Sequence, residues 1–448
     1  MWGKLAVSGI IVFAALQLVR PGIPTKQATA EVETSPEVRK ILDEHCYSCH
    51  SDERRLSWFD QIVPGYWLVR HDILTAREHL NFSSLGSKPA AAQKAALYEA
   101  VNMIQFGAMP LPAFLKLHPE AKVTPEDLAA LKAYLAPWTS APAQPPGGIN
   151  PAPVPVSLSM VQPEFNGVPF DPNFETWKLL STTDRGDNNT FRFILGNEIA
   201  VTAADSGAIS PWPDGARFAK VAWQQEAGPD GLVHPGKFVQ VELMLKDAKR
   251  YKDTEGWGWG RWRGMELKPY GDDPSFVKEC TGCHQPMRAG DYVYTLPISN
   301  AKITRTDVVN NAAALPATLP YQPLGWRPIT MYVDPKTHTT ATLYGDDSAI
   351  NAERASRTAA TGGTTPPYPA GAVLSLITWT QRDDPHWFGG RIPDAPASVE
   401  FVRFAPAGQG NEYRRFAGQG LQEESASPGA ADLRTALMLG LSPVRMPR

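Results

Sequence analysis

All four cysteines of this chain fall into two copies of one five-residue pattern, Cys46-Tyr47-Ser48-Cys49-His50 and Cys280-Thr281-Gly282-Cys283-His284. Two thiols three positions apart can add to the two vinyl groups of one haem, and the histidine that follows then lies under the iron as an axial ligand. A lone pattern of this kind also fits a disulfide or a redox pair. Two copies with no cysteine left over favour two covalently bound c-type haems. Cys46, Cys49, Cys280 and Cys283 are then the attachment residues, and His50 and His284 the iron ligands. A zinc site shared between the pairs would need four cysteines from distant and dissimilar surroundings.

The rest of the composition narrows the class. Lys plus Arg number 43 against 46 Asp plus Glu, a formal net charge of -3, so the basic stripe of a nucleic-acid binder is missing. Apolar residues make up 43% of the chain, too many for a disordered protein. A length of 448 residues suggests about three domains at roughly 150 residues each. The 42 prolines point to a loop-rich chain with stiff connectors.

Residues 1–30 read as an export signal or an N-terminal anchor. Lys4 precedes the uncharged run Leu5 to Val19, and Ala28-Thr29-Ala30 is an A-x-A cleavage site before Glu31. The run is shorter than a typical membrane span, but an uncleaved anchor remains the alternative. Either reading makes the protein periplasmic or otherwise exported, the compartment in which c-type haem is attached.

Residues 31–140 read as a small helical haem domain. Ser35-Pro36 is a helix start, and Val38, Ile41, Leu42 and His45 follow at helical spacing up to Cys46. A second helix starts at Thr124-Pro125, presents Leu128, Leu131 and Leu135, and is expected to stop at Pro137. Between them, Gly107-Ala108-Met109-Pro110 is the expected distal loop, with Met109 as sixth ligand and Met103 and His118 as fallbacks. This segment resembles the exported haem-binding domain family, related in plan to class I cytochromes c. The resemblance rests on Cys46–His50, Ser51-Asp52-Glu53-Arg54, Trp67-Leu68-Val69, Leu80-Asn81-Phe82-Ser83, Met109-Pro110 and Leu117-His118-Pro119-Glu120-Ala121.

A Pro-rich linker, 141–172, separates this domain from an internal repeat. Gly196 and Gly345 each stand nineteen positions after a tryptophan, Trp177 and Trp326, an offset of 149 between the copies. Trp212-Pro213-Asp214-Gly215-Ala216 and Tyr368-Pro369-Ala370-Gly371-Ala372 are offset by 156, as are Trp223-Gln224-Gln225 and Trp379-Thr380-Gln381. Phe238-Val239-Gln240-Val241-Glu242 is matched to Ser398-Val399-Glu400-Phe401-Val402. Alternating apolar residues with Gly and Pro punctuation make these strands. Two β-rich domains of one fold follow, 173–298 and 322–448, joined by a linker at 299–321. The second copy has no cysteine, and Leu376 stands where the first has Lys220.

Residues 173–298 resemble cytochrome P-460 through Phe191-Arg192-Phe193-Ile194-Leu195-Gly196-Asn197, Trp212-Pro213-Asp214-Gly215, Ala219-Lys220, Phe238–Glu242, Lys246-Asp247, Trp257-Gly258-Trp259-Gly260-Arg261 and the second haem motif. The expected fold is thus multidomain: a small all-α cytochrome c-like domain, then two tandem β-rich (α+β, antiparallel sheet) cytochrome P-460-like domains. The resemblance implies a haem with a third covalent bond, from Lys220 to a porphyrin meso carbon, with His284 proximal and the distal side open. It also implies hydroxylamine oxidation and a dimeric fold, which a haem-less second copy could supply as an intrachain pseudo-dimer. Arg192 is the candidate distal cation. Glu279, or else Asp272 or Asp273, is the candidate proton acceptor. The expected partners are a small nitrogen-containing substrate and a soluble or membrane redox partner. The alternative is nitric oxide binding or pure electron transfer, as in the sister family cytochrome c-prime-beta, which lacks the lysine bond.

Overall fold

The computed structural model describes residues 2–53, 55–139, 157–299, 308–358 and 368–447. Arg54 and residues 141–156 of the Pro-rich linker lie outside the described residues, as does part of the 299–321 linker. The chain forms two compact units, Met1–Thr139 and Ser140–Arg448.

The first unit is helical: α1 Trp2–Leu16, α2 Pro36–His45, α3 Tyr47–His50, α4 Gly65–His79, α5 Phe82–Leu85, α6 Ala90–Gln105, α7 Pro112–Leu115 and α8 Pro125–Thr139. Helix α2 begins where Ser35 Oγ accepts from the Val38 amide at 3.2 Å, satisfying one of the free N–H groups of the first turn, and Pro36 needs no such partner. It buries Val38, Ile41 and Leu42. Helix α6 packs Leu97, Tyr98 and Val101 inward, and α8 buries Leu131 and Leu135. Helix α8 runs through Pro137 to Thr139, beyond the expected stop. A proline this near the C-terminus removes only one backbone hydrogen bond, so the last turn persists.

Residues after α1 are part of this unit. Ile23 is buried with Val63, Tyr66 and Ile73, and Leu16 and Cys49 pack against the same cluster. Gln17 exchanges hydrogen bonds of 2.9 Å with the Val63 backbone in both directions. At Gly86 the backbone crosses so closely that an added Cβ would lie 2.3 Å from the Glu31 carbonyl oxygen. No helix among the described residues is long and apolar enough to cross a membrane.

The described residues of the second unit form twelve strands: β1 Lys178–Arg185, β2 Thr190–Gly196, β3 Arg217–Ala227, β4 Val233–Lys246, β5 Trp257–Arg263, β6 Lys268–Pro269, β7 Arg327–Asp334, β8 Thr339–Gly345, β9 Val373–Asp383, β10 Gly390–Arg403, β11 Glu412–Ala417 and β12 Gln422–Glu424. The path β1-β2-β3-β4-β7-β8-β9-β10 closes on β1, giving an antiparallel barrel. Strands β5 and β6 extend from β4, and β11 and β12 from β10. The tandem β-rich regions are therefore two halves of one barrel, each giving four strands to it, rather than two separate sheets. Closure removes the exposed edges that each half would carry alone.

Two seams at corresponding positions join the halves. At one, Val233 pairs with Val333; at the other, Asp184 pairs with Arg391 and Arg185 with Gly390. Inward residues alternate with outward ones. Phe193, Val221, Trp223, Val241 and Leu243 fill the interior from the first half, with Met331, Ile377, Trp379, Val399 and Phe401 from the second. Full burial of each aliphatic or Phe side chain is worth about 1.5–3 kcal/mol. The equivalent tryptophans each find a carbonyl, Trp223 Nε1 donating to Arg445 O at 2.7 Å and Trp379 Nε1 to Ala313 O at 2.9 Å.

Each half lays helices on its outer face. In the first these are α9 Glu198–Ser206 and α10 Val277–His284; in the second, α11 Asp347–Thr358 and α12 Pro428–Gly440. Helices α9 and α11 start alike, with Asn197 Oδ1 accepting from the Ala200 amide at 3.0 Å and Asp346 Oδ1 from the Ala349 amide at 2.8 Å. One expected correspondence is corrected. Lys220 pairs with Glu242 and Leu376 with Glu400, so Glu242 corresponds to Glu400, not to Val402. Irregularities at Ala222–Gln225 in one hairpin and Pro393–Ser398 in the other shift the register between the halves.

Candidate haem sites

The site in the second unit sits on the outer face of the first half-barrel. Strand alternation puts Arg192 of β2, Lys220 of β3, Glu242 of β4 and Arg261 of β5 on that face, opposite the apolar interior. Glu242 accepts from Lys220 Nζ and Gln240 Nε2, and from Arg261 Nε at 3.0 Å. Burial pushes the Glu242 carboxyl up, but Lys220 and Arg261 outweigh it and hold the group well below the usual range. Burial pushes the Lys220 ammonium down to about 8, against the pull of Glu242. Arg192 is half-buried, and its buried Nε has no hydrogen-bond partner among the described residues.

Beyond this charged patch the face becomes apolar. Leu180, Trp212, Phe218, Trp257 and Trp259 pack with Ala200, Ala203 and Ala204 of α9, and Cys280 lies against the same cluster. The small alanines let α9 sit close to the strands.

Helix α10 carries Cys280, Cys283 and His284. The His284 ring lies 4.6 Å from Trp259 and 5.0 Å from Tyr294, centroid to centroid. Its Nδ1 hydrogen-bonds the Tyr292 carbonyl at 2.7 Å, and burial pushes its pKa down to about 4. The ring is therefore neutral, with Nδ1 protonated and the Nε2 lone pair left for a metal. The Tyr292 carbonyl is aimed by a strained turn, with φ of +53° at Asp291 and +68° at Tyr292. Such backbone costs about 1–3 kcal/mol per residue and needs support. Asp291 supplies it, accepting from Lys246 Nζ at 2.8 Å and from the Trp212 amide at 2.9 Å.

The carboxylate candidates sort differently from expectation. Glu279 is tied to Arg261 Nη1 at 2.9 Å and to the Tyr270 hydroxyl at 2.8 Å. Asp273 caps the turn before α10 through the Ser275 amide at 2.6 Å, and Asp272 is exposed. The carboxylate beside Lys220 is Glu242, which the sequence reading passed over. The β3–β4 hairpin register would have revealed it, because the two residues are direct cross-strand partners.

The site in the first unit is built by α2 and α3. Cys46 breaks the helix with φ −120° and ψ −40°, and the turn of α3 presents Cys49 and His50. His50 Nδ1 hydrogen-bonds the Leu80 carbonyl at 2.9 Å, and burial lowers its pKa, so this ring too is neutral with Nε2 available. Tyr47 stacks on Phe82 at 5.4 Å, and Phe82 meets the His50 ring edge-on at 6.4 Å.

Met109 leaves the end of α6 through Gly107 at φ +70°, and the amides of Ala108 and Met109 both donate to Met103 O, at 2.9 and 3.1 Å. His118 is withdrawn as a fallback ligand. It is buried, its Nε2 lies 2.9 Å from Asp60 and its Nδ1 3.3 Å from Glu120, and Phe59 and Phe114 stack on it. Both ring nitrogens are engaged, so it is a structural residue.

These residues fit haem. The four cysteines form no disulfide, each pair directly precedes a neutral histidine, and the outer face beside His284 holds buried donors with no partner among the described residues: Trp257 Nε1, Trp259 Nε1 and Arg192 Nε. A family model described as haem-binding domain matches residues 6–137. A second, cytochrome P460, matches residues 172–295, and neither extends over the second half-barrel. No curated protein matches the chain. The chain is therefore a haem cytochrome that carries, in this order, a haem-binding domain and a cytochrome P460 domain.

Proposed function

We propose that the chain is an exported di-haem cytochrome that oxidises hydroxylamine or a related small nitrogen species. Cys280, Cys283 and His284 would hold the haem at the reaction site, with Lys220 cross-linked to it, and His50 and Met109 would hold a second haem suited to electron transfer. The bound haem would supply the redox-active iron. The observation that carries this reading is the placement of Lys220. It shares one barrel face with Arg192, Glu242 and Arg261, next to the motif helix, and burial lowers its pKa so that the free amine needed for a C–N bond is accessible.

The neighbouring residues have separable tasks. Arg192, lacking a partner for Nε, can donate to an oxygen of a bound substrate. Glu242 is the nearest carboxylate to Lys220. Once the Lys220 nitrogen is bonded to carbon its charge is lost, one of the cations holding Glu242 ionised is gone, and Glu242 becomes a better proton acceptor. Arg261 bridges Glu242 and Glu279 and keeps both carboxylates in place. In the second half-barrel Ala341 and Leu376 occupy the Arg192 and Lys220 positions. We read that half as a diverged, haem-less copy that closes the barrel as an intrachain pseudo-dimer.

The test is the mass of tryptic haem-peptides from exported holoprotein. The expected result is two haems per chain, one of them joined to both the Cys280–His284 peptide and the Lys220 peptide, and loss of turnover in Lys220→Leu. A haem-peptide without Lys220 would instead assign nitric oxide binding or electron transfer alone.

A further inference from the structure

The residues around the proximal histidine lead out of the site in one direction. Trp259 contacts the His284 ring on one side, but it is buried and leads into the barrel face. On the other side Tyr294 meets His284 edge-to-face at 5.0 Å, and Trp387 meets Tyr294 edge-to-face at 5.5 Å. Both separations fall in the range of direct ring contact. Trp387 belongs to the β9–β10 loop of the second half-barrel and is partly exposed. The three rings therefore run without a gap from the candidate iron ligand to the protein surface, crossing from one half to the other.

This arrangement is held in place from several sides. The Tyr294 hydroxyl donates to Cys283 O at 2.6 Å, and His386, beside Trp387, bonds the Tyr294 carbonyl through Nδ1 at 2.6 Å. Trp387 Nε1 donates to Asp187 at 3.3 Å. The Arg185 guanidinium, paired with Asp187, lies 4.3 Å from the centre of the Trp387 ring. A cation over the ring face is attracted to the neutral ring and disfavours its oxidised, positively charged form. The tryptophan is thus suited to couple donor and acceptor electronically and unsuited to holding the hole itself.

We propose that Tyr294 and Trp387 form the electron exit of the cytochrome P460 domain, and that the haem-less half thereby contributes an electron-transfer residue. This rests on the reading above that a haem is attached at Cys280 and Cys283. In the step, one electron leaves the ferrous iron, which becomes ferric, and reduces a one-electron metal-centred acceptor that docks at Trp387. No proton moves and no bond is made or broken.

The experiment uses full-length holoprotein, reduced and then mixed with ferricyanide in a stopped-flow instrument. Reoxidation is followed at the absorption of the His284 haem. Trp387→Leu and Tyr294→Leu should each slow reoxidation by about tenfold, and Trp387→Phe, which keeps a ring, should recover most of the rate. Spectrum and reduction potential should stay as in the parent protein. Parent rates in both leucine variants overturn the proposal. A slowed rate with a shifted spectrum or potential also overturns it, because the residues would then act by holding His284. Failure of the underlying reading is distinct: the mass of the tryptic Cys280–His284 peptide would show no haem on it.

Discussion

The two half-barrels share strand order, helix caps and interior tryptophans, yet their outer faces are opposites. The first presents Arg192, Lys220, Glu242 and Arg261 beside a helix carrying Cys280, Cys283 and His284. The second has Ala341 and Leu376 at the first two positions and packs them with Leu343, Leu374, Phe404 and Met438 of α12 into an apolar cluster. Two charges survive. Arg415 stands opposite Glu400 as Arg261 stands opposite Glu242, and it pairs with Glu424. Glu400, the counterpart of Glu242, is almost fully buried. It accepts from Arg434 of α12 at 2.6 and 2.8 Å and from the Tyr413 hydroxyl at 2.6 Å. The two halves thus share a buried carboxylate and differ in the cation that pairs with it, a strand lysine beside the candidate haem site in the first and a helix arginine that fastens α12 in the second.

Arg434→Met is expected to have the largest effect on this comparison. It leaves Glu400 buried with one neutral donor. Losing one partner of a buried pair costs about 3–5 kcal/mol, and since Arg434 is 37% exposed solvent screening reduces this to about 2–3 kcal/mol. Denaturant unfolding measures it. An unchanged midpoint would mean that α12 is not fastened through this pair.

The halves can then be made to converge. In the Arg434→Met background, Leu376→Lys places an ammonium opposite Glu400, as Lys220 stands opposite Glu242. About half of the lost stability should return, because the buried carboxylate regains a cation. Leu376→Lys alone should destabilise, since it puts a charge into a fully buried apolar site whose carboxylate is already paired. If the double variant is no more stable than Arg434→Met, the two faces are not interchangeable.

How much of this could be read from the residues differs between the regions. The haem motifs, the Ser35-Pro36 helix start and the strand around Lys220 are local patterns, and local patterns are what spacing encodes. The offsets of 149 and 156 announced two related β-rich regions. That they close one barrel was not legible, because closure depends on pairings such as Asp184 with Arg391 between distant residues. The irregular hairpins hid the match of Glu242 with Glu400, and with it the carboxylate of the site. The approach of Trp387 to Tyr294 is a consequence of closure and leaves no mark in either segment.

Lys220 gives a smaller effect that needs no second mutation in the other half. Its pKa in the folded protein is lowered, so between about 8 and the ordinary lysine value of 10.5 the unfolded chain binds more protons than the folded one. Stability then rises with pH across that window and is lost as pH falls back through it. In a Cys280→Ser/Cys283→Ser variant, where Lys220 stays a free amine, the rise should be about 1–2 kcal/mol after allowance for partial solvent access. Adding Lys220→Leu should remove it, making the first half behave as the second does with Leu376. A pH profile that is the same with and without Lys220 would place the amine in water.

The smallest effect lies at the seams, where the halves differ by a single polar knot. The Val233–Val333 seam is apolar. At the other, Asp184 accepts from Gln225 Nε2 at 2.6 Å and from Gln381 Nε2 at 3.0 Å, two glutamines that occupy the same position in the two halves. Burial raises the Asp184 pKa despite these donors and Arg391. A folded pKa above the unfolded one means the carboxylate contributes its full stability only in acid and loses it as pH rises through the folded value. At neutral pH the charge is therefore a cost. Asp184→Asn keeps an acceptor and removes that charge, so it should stay within about 1 kcal/mol of the parent. Asp184→Val copies Val333 but removes an acceptor from the amides of Gln225, which keeps the Thr190 carbonyl, and Gln381, and should cost about 1 kcal/mol. A valine variant as stable as the parent would mean that the two seams are equivalent and that the polar knot adds nothing to closure.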